Sequence, residues 1–95
     1  MYGESMNIVW DENKAIVNFN RHSVTFESAV SALSDDLAIT IEDTDHDEER
    51  FVTIGMGANF TLLVVVYCYP DEMTVRIISA RKAEPHERKD YEQCP

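Results

Sequence analysis

The stretch Leu62-Leu63-Val64-Val65-Val66 is apolar at every position. Successive residues of a strand face opposite sides, so a run with no polar position needs cover on both faces and belongs in the middle of a sheet. Its neighbours favour strands too. Leu37 to Glu42, Arg50 to Met56, Asn59 to Tyr69 and Met73 to Lys82 are rich in Val, Ile, Thr, Tyr and Phe. Gly57-Ala58 and Pro70-Asp71-Glu72, between the last three, are short enough for hairpin turns, which predicts an antiparallel meander.

Upstream of residue 37 the period changes from two to that of a helix. Asn7 to Trp10 is a short apolar run, suited to a strand or a lead-in, and Asp11 after it is a good N-cap. At about 100° per residue, Asp11, Lys14, Asn18, Arg21 and His22 fall on one stripe, and Ala15, Ile16 and Phe19 on an adjoining apolar one. The polar stripe is dense in side chains able to contact an anion. Thr25 is a second N-cap, with Glu27 in the first turn of a helix running to about Leu33, which Asp35-Asp36 ends. Pro85 suits a first helical position, so Pro85 to Gln93 reads as a last helix, too short to hold without docking. The expected fold is α+β: an antiparallel sheet of four to five strands packed by two N-terminal helices and one C-terminal helix.

A chain of 95 residues suits one small domain, residues 1–95, with a single core. Met1 to Ser5 precede a second methionine and show no period, so no element is expected there. The apolar run from Leu62 to Tyr69 is far short of the roughly 20 residues of a membrane span, and no signal peptide opens the chain, so a cytoplasmic protein without membrane contact is expected. Cys68 lies in an apolar run and Cys94 beside the terminus, without metal-finger spacing. No disulfide framework and no cofactor are implied.

The formal net charge is −10, yet seven of eight basic residues fall within residues 14–21 and 76–89, Arg50 being the exception. So acidic a chain has no overall attraction for RNA or DNA, and any anion site must be assembled locally from these clusters. His22 beside Arg21 has two readings: a cation suited to a helix C-terminus, or a proton donor or acceptor beside a phosphate. Arg76, Arg81, Lys82, Arg88 and Lys89 also have two: anion contacts, or salt bridges to Glu84, Glu87 and Glu92. In a regular strand Arg76 and Lys82 share one face and Arg81 takes the other, so meeting at one phosphate would require a bulge or a strand end. Trp10 could stack on a base or join the core. Glu42 to Glu49 holds six carboxylates in eight residues but fails as a calcium loop, because the turn glycine would fall on Glu48 and the bidentate glutamate on Ile54. It reads as a solvated hairpin loop, His46 included, and no metal site is expected.

Three ordered patterns resemble the BrnT family of bacterial type II toxins. The opening pattern is carried by Trp10, Asp11, Lys14, Asn18, Arg21, His22, Val24 and Phe26; the middle one by Glu49 to Gly55 and Leu62 to Val66; the closing one by Arg76 to Arg81, Glu87, Arg88 and Tyr91. The resemblance covers about residues 6 to 92. The family usually has Gly after the histidine, where the chain leaves the helix in a left-handed conformation. Ser23 stands there, at a cost of roughly 1 kcal/mol if that geometry is kept.

The resemblance implies a RelE-like fold, an endoribonuclease that cleaves RNA without a metal, and a hetero-oligomer with a BrnA-type antitoxin. That antitoxin's ribbon-helix-helix region would make any operator DNA contact. By the same analogy the RNA 2′-OH would be the nucleophile, with a base to take its proton, cations for the phosphorane and an acid for the leaving oxygen. Implied catalytic residues are His22, Arg76, Arg81 and Tyr91; implied RNA contacts are Trp10, Lys14, Lys82 and Arg88. Lys14, Arg76 and Arg81 would share a concavity, away from the carboxylates of 42–49. The rival is a module that keeps fold and partner without cleaving, which the −10 charge favours because a basic antitoxin would be attracted and RNA repelled.

Overall fold

The structure, a computed structural model, describes residues 6–43 and 49–93. The segment Met1 to Ser5, most of the acidic loop including His46, and Cys94 lie outside the described residues. The elements are β1 (Asn7–Val9), α1 (Glu12–His22), α2 (Phe26–Leu33), β2 (Ile39–Asp43), β3 (Arg50–Met56), β4 (Leu62–Asp71), β5 (Thr74–Lys82) and α3 (Pro85–Gln93), with a 3-10 turn at Ala58–Phe60 between β3 and β4. The fold is α+β.

One five-stranded sheet runs in the order β1-β5-β4-β3-β2. The β2–β3, β3–β4 and β4–β5 pairs are antiparallel, as the alternating pattern and short turns demand. β1 differs, pairing parallel to β5 through Asn7–Thr74, Ile8–Val75 and Val9–Arg76, which makes the sheet mixed. A three-residue strand carries no signal of its direction.

β4 is the middle strand. Leu63, Val65 and Tyr67 point from it into the main core, under Val24, Phe26, Ala29, Ala32 and Leu33 and beside Val75, Ile77 and Ala80 of β5. Leu62 and Val64 point the other way, forming with Ile54 a smaller core closed by Ala83 and by Tyr91 of α3. Burial on both faces removes apolar area worth roughly 25 cal/mol per Å2 from water, which is why this segment tolerates no polar residue.

The caps lie where the sequence places them. Asp11 accepts from the Lys14 N–H at 3.1 Å and Thr25 from the Ser28 N–H at 3.1 Å. Ser23 ends α1 at φ 58°, ψ 30°, so the left-handed exit is kept without glycine. Gly55 is fixed by a close approach, since a Cβ there would lie 2.3 Å from the Ala32 carbonyl oxygen.

α1 departs from the expected packing. It lies along the edge of β5 rather than over the sheet, so Ala15 meets the core while Ile16 and Phe19 are 58% and 49% exposed. Its polar stripe turns inward at Asn18. That amide donates to the Ala80 carbonyl (2.8 Å) and the Val24 carbonyl (3.0 Å) and accepts from the Ala80 N–H (3.1 Å). Asn18 thus replaces a neighbouring strand where β1 has ended, satisfying buried backbone groups that would otherwise go unpaired.

Candidate functional site

Along this edge, α1 and β5 enclose a cavity of about 270 Å3 lined by Asn13, Lys14, Val17, Asn18, Arg21, His22, Ile78 and Ser79. Lys14, Asn18 and Arg21 or His22 recur at helical spacing, so one stripe of α1 supplies a wall carrying two cations and an imidazole. The opposite wall is short because Ser79 is small, which leaves room at the strand edge. Cations also suit this end of α1, where Arg21 and His22 occupy the last turn.

The described ends of the acidic stretch sit at the other side of the sheet. Glu42 and Asp43 belong to β2, three strands from β5, or about 14 Å at a spacing of roughly 4.8 Å per strand. That exceeds the ~8 Å screening length of physiological salt. Glu42 is held above the ordinary carboxylate range by its hydrogen bond with Glu49 and the like charge there, so this hairpin already carries internal repulsion.

Of the eight implied site residues, Lys14 and His22 meet in this cavity, joined by Arg21. Arg76 and Arg81 do not line it, contrary to the expected shared concavity. They do, however, share a sheet face. Val66 pairs with Ser79 but Tyr67 with Ile77, which leaves Ile78 as an extra residue. This bulge shifts the alternation, so Val75, Ile77 and Ala80 all face the main core and Arg76 and Arg81 project from the opposite face. Lys82 projects with Ala80, onto the α2 side. The regular-strand expectation, with Arg76 and Lys82 together, is corrected by one inserted residue.

Arg81 is already engaged. Its guanidinium makes a two-pronged ion pair with Glu87, Nη1–Oε1 2.8 Å and Nη2–Oε2 2.7 Å, and Nη1 also donates to the Lys82 carbonyl at 3.2 Å. The Arg81 hydrogen bonds pull the Glu87 carboxyl down to about 2, against the burial that would raise it, and raise the Arg81 guanidinium in turn. Glu87 also accepts from the Glu84 N–H, pinning the start of α3.

Tyr91 is held as well, donating its hydroxyl to Asp35 Oδ2 at 2.5 Å, which with burial pushes the phenol up to about 12. Burial acts to raise the Asp35 carboxyl, but bonds from Tyr91 and from the Leu37 and Met56 N–H groups leave it lowered. The bonds to Leu37 and Met56, at 2.9 and 2.8 Å, tie the α2–β2 loop to the end of β3. Asp35 therefore connects α2, β3 and α3. The only sequence signal for it is an aspartate two residues before a backbone N–H it can bond.

Trp10 packs edge-on against Phe26 at 5.8 Å and donates Nε1–H to Glu12 at 2.8 Å, so its ring belongs to the rim of the core. Arg88 lies 3.7 Å from Glu92 on the next turn. Lys82 lines a second cavity of about 420 Å3 with Ser23, Thr25, Glu27, Ser28, Asn59 and Thr61 among others. Among the described residues, Glu84, His86 and Glu87 are close enough to hold a cation, but Glu87 is committed to Arg81. Cys68 is a free, buried thiol, and no helix among the described residues is long and apolar enough to cross a membrane.

The family model for the ribonuclease toxin BrnT of type II toxin-antitoxin systems matches residues 10–87. Among solved structures, the Brucella abortus ribonuclease toxin BrnT is similar in fold, with a TM-score of 0.59 and 24% sequence identity over 83% of this chain and 97% of that one. No curated protein sequence matches. The matched span runs from Trp10, ahead of α1, through the sheet to Glu87 at the start of α3, taking in both walls of the cationic cavity. The chain belongs to the BrnT family, the ribonuclease toxins of type II toxin-antitoxin systems.

Proposed function

We propose that this chain is a metal-independent endoribonuclease whose reacting phosphodiester is held in the cavity between α1 and β5. The observation that carries this reading is the convergence of Lys14, Arg21 and His22 on one recess of a chain with net charge −10. Lys14 and Arg21 would bind the phosphate oxygens and offset charge building on the phosphorane. His22 would exchange a proton with the 2′-OH or the leaving 5′-oxygen, since histidine can serve both roles near neutral pH. Attack by the 2′-oxygen forms the new P–O bond as the bond to the 5′-oxygen breaks, giving a 2′,3′-cyclic phosphate and a 5′-hydroxyl. Every step is a proton transfer or an exchange of oxygens at phosphorus, which requires no metal.

In this reading Arg81 and Tyr91 position α3, through Glu87 and Asp35, and Arg76 is an accessory cation on the other face. The family implies an antitoxin, which we propose is of the BrnA type, contributing any contact with operator DNA.

The second reading, a non-cleaving module that only binds the antitoxin, draws on the acidic charge and on Ile16, Val17 and Phe19 exposed along α1. Induced expression with and without the antitoxin, followed by cellular RNA integrity, separates the two. Cleavage requires RNA fragmentation that the antitoxin suppresses. Intact RNA from a soluble, expressed chain would favour the binding module.

A further inference from the structure

The turn joining β3 to β4 is built against its own conformational preference. Thr61 N–H returns to the Ala58 carbonyl at 3.3 Å, and both residues between them have positive φ, Asn59 at 59° and Phe60 at 56°. Such turns favour Asn followed by Gly. Asn59 fits that preference, but Phe60 does not: a bulky side chain in the left-handed region is strained, and nothing among the described residues compensates, since Phe60 is 91% exposed. Its neighbourhood is mixed. Asn59 and Thr61, on either side of it, line the second cavity with Ser23, Thr25, Ser28, Glu27 and Lys82 and with the apolar Val24 and Leu63. Hydroxyls, an amide, a carboxylate and one ammonium beside a turn that presents an exposed aromatic ring suit a nucleotide: the base can stack on the ring, the ribose hydroxyls can donate to Glu27 and the phosphate can meet Lys82.

The two cavities are consecutive along the chain, His22 bordering the first and Ser23 the second, and along β5, Ser79 bordering the first and Lys82 the second. We propose that Phe60 and Lys82 form a subsite for a nucleotide flanking the scissile one: its base stacks on Phe60 and its phosphate meets Lys82. This rests on the RNA-cleaving reading and adds to it a platform that selects unpaired RNA, because only an unstacked base can reach the ring.

The test uses a short, labelled single-stranded RNA carrying 2′-O-methyl groups throughout, which can bind but cannot be cleaved. Phe60→Gly should raise the melting temperature, by relieving the strained φ, while weakening RNA binding about tenfold. Phe60→Trp should restore binding. Lys82→Gln should weaken binding and lower its salt dependence by about one ion. Wild-type protein that binds no RNA would overturn the cleavage reading and this subsite with it. Wild-type and Phe60→Gly proteins that bind RNA equally would overturn the subsite alone. So would a Phe60→Gly protein that loses affinity for the antitoxin but not for RNA, since the ring would then be a protein contact.

Discussion

Replacing Asn18 by Ala should unfold the β5 edge first and lower global stability by about 3 kcal/mol. Asn18 is 6% exposed and its amide makes three hydrogen bonds, at 2.8, 3.0 and 3.1 Å, to Ala80 and Val24. Each such bond contributes roughly 1 kcal/mol net, and its loss leaves a buried backbone group without a partner. For a domain of this size, 3 kcal/mol corresponds to a fall in melting temperature of about 15 °C. Urea unfolding gives the magnitude, and hydrogen exchange at the Ala80 N–H gives the place. Asn18→Asp is the sharper control, because it preserves shape and acceptor but sets an oxygen against two carbonyls. It should be at least as destabilising as Ala. A loss below about 1 kcal/mol in both variants, or unchanged protection of Ala80, would refute the claim that this side chain replaces a strand.

Gly55→Ala should cost about 2 kcal/mol in urea unfolding, because the new Cβ would lie 2.3 Å from the Ala32 oxygen, a backbone atom that cannot swing aside. Ser23→Gly should stabilise by about 1 kcal/mol, since φ 58° is strained for serine and free for glycine. Glu87, held at about 2 in the folded chain, stabilises it fully above its unfolded value near 4.5 and loses that contribution as pH falls from about 4.5 to 2. The Arg81 side chain is 38% exposed, so the screened contribution is about 1 kcal/mol. Melting curves of wild type and Glu87→Gln should therefore differ at pH 6 and converge near pH 2.

Local chemistry was the part of this fold most open to reading from sequence. Asp11 and Thr25 cap helices because their side chains bond N–H groups three residues on, and Pro85 starts α3 because that position needs no N–H; each needs only its neighbours. The central place of Leu62 to Val66 also followed, because alternation without a polar face allows no other. Distant pairings did not follow. Nothing in Asn7 to Val9 indicates that it runs parallel to β5, and an asparagine on a polar stripe looks the same whether it meets an anion or a strand edge 62 residues away. The extra residue at Ile78 is equally silent, yet it decides which arginines share a face. For Arg81 and Arg88, of the two alternatives weighed, the structure displays the salt bridges, to Glu87 and Glu92.

The central question is whether RNA is cut in the α1–β5 cavity. The most direct measurement is cleavage of a defined RNA by purified protein in EDTA, comparing wild type with His22→Ala, Lys14→Ala/Arg21→Ala and Arg76→Ala, each checked for folding by circular dichroism. Cleavage by the wild type, reduced about 100-fold or more by His22→Ala and by the double variant but less than tenfold by Arg76→Ala, is the predicted result. Full cleavage by His22→Ala with loss in Arg76→Ala would place the chemistry on the opposite face of the sheet and contradict the account.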